Sequence, residues 1–372
     1  MKLAFVIPLL TRTGGNKTAL NLAEELVDQG DQVELFVHTA SSTVLPQLPD
    51  FTPRVPLRIL RTRVGGFRGH GDPIVWNMAT RRYRELALHI AQRHHEVNFD
   101  AIILISNEGR TLARDLRKAL GRNTPKLGWC VMELIDHTYL LRRERDLGWL
   151  RTISFPIYPL IHELWNQAYR EYDFLLANSP WTSELLEYFY GVNCLGEVIS
   201  IPRRAFTRGL RWKDSIYIAV PTVSLGPKEI GMLDKIARSG LPLVAYGPRL
   251  LPSSIPIPHK GFLSEDGMRE LLSNAVATLF LFDYEALGLV PLESLAAGTP
   301  VITLPKQGPY RTLSGNPDVH FGRNAQELID LCGRMVISPP TESVRARCQQ
   351  SVEYYSSPRA AKRFHTLLSP IT

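Results

Sequence analysis

The run Lys2-Leu3-Ala4-Phe5-Val6-Ile7-Pro8-Leu9, the turn Thr11-Arg12-Thr13-Gly14-Gly15-Asn16, the segment Thr18 to Gln29 and the run Gln32 to Val37 read, in order, as strand, turn, helix and strand. The first run is apolar without alternation, the pattern of a strand covered on both faces. Apolar residues in Thr18 to Gln29 recur at helical spacing and stop at Gly30. Strand, helix and strand in succession build a parallel sheet flanked by helices.

The same alternation continues outward. Further strands are expected at Ala101 to Ile105, Lys126 to Val131, Phe174 to Ala177 and Glu197 to Ile201. Helices are expected at Trp76 to His94, Thr111 to Leu120, Pro156 to Tyr169 and Thr182 to Tyr190. The segment Ser41 to Pro73, rich in proline, glycine and arginine, reads mostly as loop. Pro202 to Asp214 is charged and without periodicity, so the spacing predicts a first domain over 1–201, a linker over 202–214 and a second domain from 215. In the second, Ser215 to Val220, Pro242 to Tyr246, Thr278 to Phe282 and Pro300 to Thr303 read as strands. Lys228 to Ser239, Ser264 to Ala275, Leu287 to Ala297 and Ala325 to Met335 read as helices. Open parallel sheets bind ligands beyond the carboxyl ends of their strands.

With 372 residues and 44% of them apolar, the chain can fill two cores. The net charge of +7 is spread along it, with clusters at Arg81-Arg82-Tyr83-Arg84, Arg142-Arg143 and Arg203-Arg204, which favours anionic partners. These clusters lack the aromatic interleaving of a nucleic-acid module, so no nucleic-acid partner is expected. A basic helix at Arg81 to Val97 admits peripheral contact with anionic lipid, although its apolar face suits a core equally well. Cys130, Cys194, Cys332 and Cys348 lie far apart, with no C-x-x-C pair and no histidine at ligand spacing, which suggests neither zinc nor disulfides and fits a reducing cytoplasm. The opening run has one basic residue, an internal proline and no small-residue cleavage site, against a secretory signal. No apolar run reaches the ~20 residues that span a bilayer.

The chemistry is expected in Phe282-Asp283-Tyr284-Glu285-Ala286-Leu287-Gly288-Leu289-Val290-Pro291-Leu292-Glu293-Ser294-Leu295-Ala296-Ala297-Gly298-Thr299-Pro300-Val301-Ile302. Glu285 falls between a strand and a helix, and Glu293 lies about two turns into that helix. The amides of Leu287, Gly288 and Leu289 would form the helix amino end, whose unpaired N–H groups and dipole suit a diphosphate. A carboxylate only accepts hydrogen bonds, so it complements the hydroxyls of a sugar. The stretch resembles the E-x7-E signature of family-4 glycosyltransferases, including the trailing A-x-G-T-P-V-I. The resemblance implies the GT-B fold, two Rossmann-like doubly wound α/β domains, and a retaining, metal-independent hexosyltransferase. By it, Glu285 would hold donor-sugar hydroxyls and Glu293 the ribose of a nucleotide diphosphate sugar. The acceptor would be a glycan, a lipid-linked sugar or a small molecule.

Other stretches resemble the same family. Tyr172-Asp173-Phe174-Leu175-Leu176-Ala177-Asn178-Ser179-Pro180-Trp181-Thr182 is similar to its D-x-x-x-A-N-S turn, with Ser179 as a helix cap. Gly14-Gly15 is similar to its glycine loop, in which backbone amides approach the donor phosphates. Tyr355 to Phe364 resembles the terminal helix of the architecture, so that 353–372 would cross back to the first domain while 215–352 binds the donor. Members usually carry an arginine and, five residues on, a lysine on the diphosphate; here Lys228 can take the lysine role, but Val223 stands for the arginine. Arg249, Lys260 or Arg311 could supply the second cation. The usual G-G-x-x-E appears as Gln307-Gly308-Pro309-Tyr310-Arg311. For the first-domain catalytic group the resemblance points to His137, with Asp136 and Glu133 as alternatives. No D-x-D motif is present, and no metal or cofactor is expected. Two other readings stay open: a GT-B epimerase or phosphorylase, and a degenerate domain retained for binding.

Overall fold

The computed structural model describes residues 1–10, 14–41, 54–63, 73–106, 111–134, 158–206, 216–223, 225–247 and 251–370. His137, Asp136 and Arg249 lie outside them. The chain divides into two compact units, 1–200 with 360–372, and 201–359.

The first unit is built on a seven-stranded, all-parallel sheet in the order β3-β2-β1-β4-β5-β6-β7. Its strands are β1 (Lys2–Leu10), β2 (Gln32–Ser41), β3 (Leu57–Arg63), β4 (Ala101–Ser106), β5 (Lys126–Val131), β6 (Phe174–Ala177) and β7 (Gly196–Glu197). The helices are α1 (Gly14–Asp28), α2 (Pro73–Val97), α3 (Leu112–Leu120), α4 (Tyr158–Arg170) and α5 (Pro180–Tyr190). The non-alternating opening run is a central strand, and its two faces feed different cores. Leu3, Phe5 and Ile7 pack with Leu22 and Leu26 of α1, and Phe364 meets Phe5 edge-on at 5.7 Å. Ala4 and Val6 face the opposite core, which holds Leu86 and Ile90 of α2 and Trp129 stacked on Tyr169 at 4.8 Å. Tyr83, Leu86, Ala87, Ile90 and Ala91 of α2 are therefore core.

Two expectations are corrected here. Within Ser41 to Pro73, read as mostly loop, Leu57–Arg63 forms the edge strand β3. Its arginines obscure the strand pattern because they are engaged in ion pairs: Arg58 with Glu34 at 2.6 Å and Arg61 with Glu85 at 2.7 Å. The strand expected at Glu197 to Ile201 is reduced to the two residues of β7; beyond it Ile201 instead bridges Ser356 in the second unit.

The second unit holds a five-stranded parallel sheet in the order β12-β11-β10-β8-β9. Its strands are β8 (Ile218–Pro221), β9 (Leu243–Tyr246), β10 (Ala277–Phe280), β11 (Val301–Thr303) and β12 (Val319–Phe321). Its helices are α6 (Pro227–Ala237), α7 (Glu265–Asn274), α8 (Leu289–Ala296), α9 (Gln307–Leu313), α10 (Ala325–Ile337) and α11 (Glu342–Ser351). The last helix, α12 (Ser357–Leu368), belongs to the first unit from Ala360 onward. Residues 203–206, expected in the linker, form a 3-10 turn of the second unit. The buried Arg345 of α11 donates to the carbonyls of Ser273, Ala275 and Gly298 at 3.1–3.2 Å, satisfying the carboxyl ends of α7 and α8 with a cation.

In each sheet the strand order reverses once: between β1 and β4 in the first, and between β8 and β10 in the second. Diverging connections leave a crevice at such a switch point, beyond the carboxyl ends of the strands.

Candidate functional site

In the second unit the switch point lies between the loop that leads to Lys228, after β8, and the loop that carries Glu285, after β10. After β8, Gly226 caps α6, Pro227 takes its first position and Lys228 follows, exposed, in the first turn. After β10 the chain runs from Leu281 to Gly288 before α8 begins at Leu289. That start is two residues later than expected, because Gly288 has φ 90°, a left-handed backbone that cannot continue into a helix from its N-terminal side. Leu287 and Gly288 therefore belong to the turn, and only Leu289 of the three expected amides lies in the helix.

The turn folds back on its own carboxylate. Glu285 Oε1 accepts from the N–H of Gly288 at 3.2 Å and of Leu287 at 3.4 Å. Two amides expected to meet phosphate thus orient Glu285, which stays half-buried. Glu293, one turn into α8, is 6% exposed and borders a depression with Pro202, Ala205, Glu265, Arg269 and Leu272. Burial, reinforced by the Glu293 charge, raises the phenol of Tyr246, the last residue of β9, well above its ordinary value.

A cation absent from the sequence expectations stands behind these loops. Lys306, after β11, donates from Nζ to Glu229 Oε1 and to the Asp283 carbonyl, both at 3.1 Å, and lies 5.0 Å from the centre of the Phe282 ring. It ties the loops after β8, β10 and β11 together, since Glu229 follows Lys228 and Asp283 precedes Glu285. The only sequence signal was its place beside Gln307-Gly308. Of the proposed second cations, Lys260 and Arg311 are both exposed. Val223 sits half-buried just beyond β8.

In the first unit, Gly14 and Gly15 open α1 at the carboxyl end of β1, and Asn16 Nδ2 donates to the Leu9 carbonyl at 2.8 Å. A Cβ on Gly15 would come no nearer than 3.4 Å to Met132, so protein packing does not demand glycine there. Glu133 is half-buried beyond β5. The Asp173 to Thr182 turn is engaged in structure. Ser179 Oγ accepts from the Thr182 N–H at 3.0 Å, Asp173 pairs with Arg117 at 2.8 Å, and Asn178 Oδ1 accepts from the Thr182 hydroxyl at 2.7 Å.

Two parallel-sheet α/β units of this topology define a GT-B fold. Residues 257–337, which carry Glu285, Glu293, Lys306 and Gln307, match the family model described as "Glycosyl transferases group 1". No curated protein matches the chain in sequence. Among solved structures, the chain is similar over its full length to HepE of Anabaena in complex with UDP and glucose, at 14% identity and TM-score 0.70, with all of both chains covered. It is similar to the sucrose-phosphate synthase of Thermosynechococcus elongatus at 15% identity and TM-score 0.74, covering 100% of this chain and 98% of the other. The lipopolysaccharide outer core galactosyltransferase WaaB, in its apo form, aligns at 13% identity and TM-score 0.60 over all of both chains.

Proposed function

We propose that the protein is a glycosyltransferase that moves a hexosyl group, with retention of configuration, from a nucleotide diphosphate sugar to a glycan, lipid-linked or small-molecule acceptor. The observation that carries this reading is the setting of Glu285. Its carboxylate is held by two backbone amides at the switch point of the second sheet, inside the segment that matches the glycosyl transferase model.

In this reading Glu285 accepts hydrogen bonds from donor-sugar hydroxyls, and Glu293 accepts them from the ribose. Lys228, with the Leu289 amide at the start of α8, stabilises the departing diphosphate, and the Gly14-Gly15 amides of the first unit contribute from α1. The acceptor oxygen forms its bond to the anomeric carbon on the face from which the diphosphate leaves. The acceptor proton passes to the departing phosphate oxygen, so charge is neutralised by a lysine and amides and no metal is called for. His137 is assigned to the sugar or the acceptor hydroxyl. The apolar residues Leu86 and Ile90 of α2 are used in the core, Arg93 pairs with Glu34 at 2.7 Å and Leu88 is exposed, so peripheral contact with an anionic membrane face would draw mainly on charge. A cytoplasmic site of action fits a nucleotide-sugar donor.

The test is a panel of nucleotide sugars, beginning with UDP-glucose because the Anabaena neighbour was crystallised with UDP and glucose. Release of free nucleotide diphosphate together with a glycosylated product supports transfer and separates it from epimerisation. Glu285→Ala is expected to abolish release while leaving the circular dichroism unchanged. A wild-type chain whose melting temperature no nucleotide diphosphate raises contradicts the reading, since a ligand at 100 times its Kd adds about 2.7 kcal/mol.

A further inference from the structure

Among the described residues, Gln307 is one of two non-glycine residues with a left-handed backbone, at φ 53°, the other being Asn98. Asparagine tolerates that region; a longer side chain is held there only by its surroundings. Gln307 is held by its own carboxamide. Oε1 accepts from the N–H of Glu285 at 2.9 Å, and Nε2 donates to the carbonyl of Asp283 at 3.3 Å.

Its neighbours grip the same segment. The Gly308 N–H donates to the Glu285 carbonyl at 3.2 Å, and Lys306 Nζ donates to the Asp283 carbonyl at 3.1 Å. Three consecutive residues after β11 therefore make four hydrogen bonds to the main chain of Asp283 and Glu285. With its backbone fixed by Gln307 and Gly308, and its carboxylate by Leu287 and Gly288, Glu285 has little freedom left to leave its place.

Resting on the transfer reading, we propose that Gln307 is a positioning residue: its carboxamide clamps residues 283–285 so that the Glu285 carboxylate is presented to the donor sugar. A hydrogen bond from a sugar hydroxyl to a carboxylate tolerates only a few tenths of an ångström. A loop free to drift by about 1 Å loses that contact and with it much of the rate. A residue kept for fold alone has no reason to be glutamine in a left-handed position, where glycine is unstrained.

That contrast makes the clamp testable with Gln307→Gly, which relieves the backbone and deletes only the side-chain bonds. Its melting temperature should equal or exceed that of the wild type. Its kcat/KM for UDP-glucose should fall about tenfold to a hundredfold, while its Kd for UDP, which lacks the sugar, stays within about twofold. Gln307→Met, which keeps the length and the strain but neither hydrogen bond, should lose the same activity and also stability. Amide hydrogen exchange of the 283–288 segment should quicken at least about tenfold in both variants. A Gln307→Gly protein that retains kcat/KM, loses UDP affinity in proportion, or shows unaltered exchange overturns the clamp. A wild-type chain that turns over no nucleotide sugar of the panel overturns the transfer reading instead, and the exchange rates then decide the clamp alone.

Discussion

Gly308→Ala is the sharpest probe of how rigidly the acidic loop is packed. A Cβ on Gly308 would lie 1.9 Å from the carbonyl oxygen of Ala286, 2.2 Å from its carbon and 2.8 Å from the Leu287 nitrogen. All three are backbone atoms, so no side chain can swing aside. A non-bonded carbon and oxygen settle at roughly 3.3 Å or more, so the two segments must part by roughly 1.4 Å. That movement breaks the 3.2 Å bond from the Gly308 N–H to the Glu285 carbonyl and disturbs the amide contacts of the Glu285 carboxylate. Overpacking strain and the lost hydrogen bond together cost about 2–4 kcal/mol. Urea denaturation should show the loss in the transition of the second unit, and its Tm should drop by roughly 4–16 °C. Because the displacement falls on the residue assigned to the donor sugar, turnover of whichever nucleotide sugar the panel identifies should decline by about 10²-fold or more in whatever fraction stays folded. An alanine variant with an unchanged midpoint and unchanged turnover would refute the argument, since the loop would then have to yield at no cost.

Further expectations follow from the same contacts. Lys228→Ala removes the exposed cation assigned to the diphosphate and should lower turnover about 10²-fold with the melting temperature unmoved; equal steady-state constants in the variant would take Lys228 out of the site. Arg345→Met strips the carboxyl ends of α7 and α8 of their buried donor and should destabilise the chain by about 3 kcal/mol, read as a lower urea midpoint. Glu34 responds to pH. Burial pushes its carboxyl up, but hydrogen bonds from Arg93 and Arg58 outweigh it and hold the group below its ordinary value of 4.5. With the folded value depressed, its contribution is fully present above the ordinary carboxylate range and is lost as pH falls from about 4.5 through the lower folded value. The urea midpoints of wild type and Glu34→Gln should therefore converge over that acid window, and parallel curves would show that the pair contributes nothing.

The legibility of this molecule follows its periodicity. Lys2 to Leu9 announced a doubly covered strand because a central parallel strand must be apolar on both faces, and β1 is buried without a break from Leu3 to Pro8. Ser179 before Pro180 announced a cap because only a short oxygen-bearing side chain can reach the Thr182 N–H. The order of alternating elements was enough for two doubly wound sheets, and the residues between and after Glu285 and Glu293, more than their spacing, directed attention to one strand-to-helix segment. Where apolar periodicity was weak, reading failed. Leu57–Arg63 hid a strand behind arginines whose partners, Glu34 and Glu85, are distant in sequence, and α9, α11 and β12 passed unread because they are short or largely polar.

What the chain alone offered was a set of candidates for the chemistry: a carboxylate, a helix start and a lysine at strand ends, all local in origin. Their arrangement was decided only by tertiary structure. The left-handed turn at Gly288 delays α8 and aims two amides at Glu285 rather than outward, and Lys306 and Gln307 reach back to a loop more than twenty residues earlier. Such contacts leave no periodic trace, because adjacent parallel strands are neighbours in the sheet while the helix joining them keeps their ends far apart along the chain.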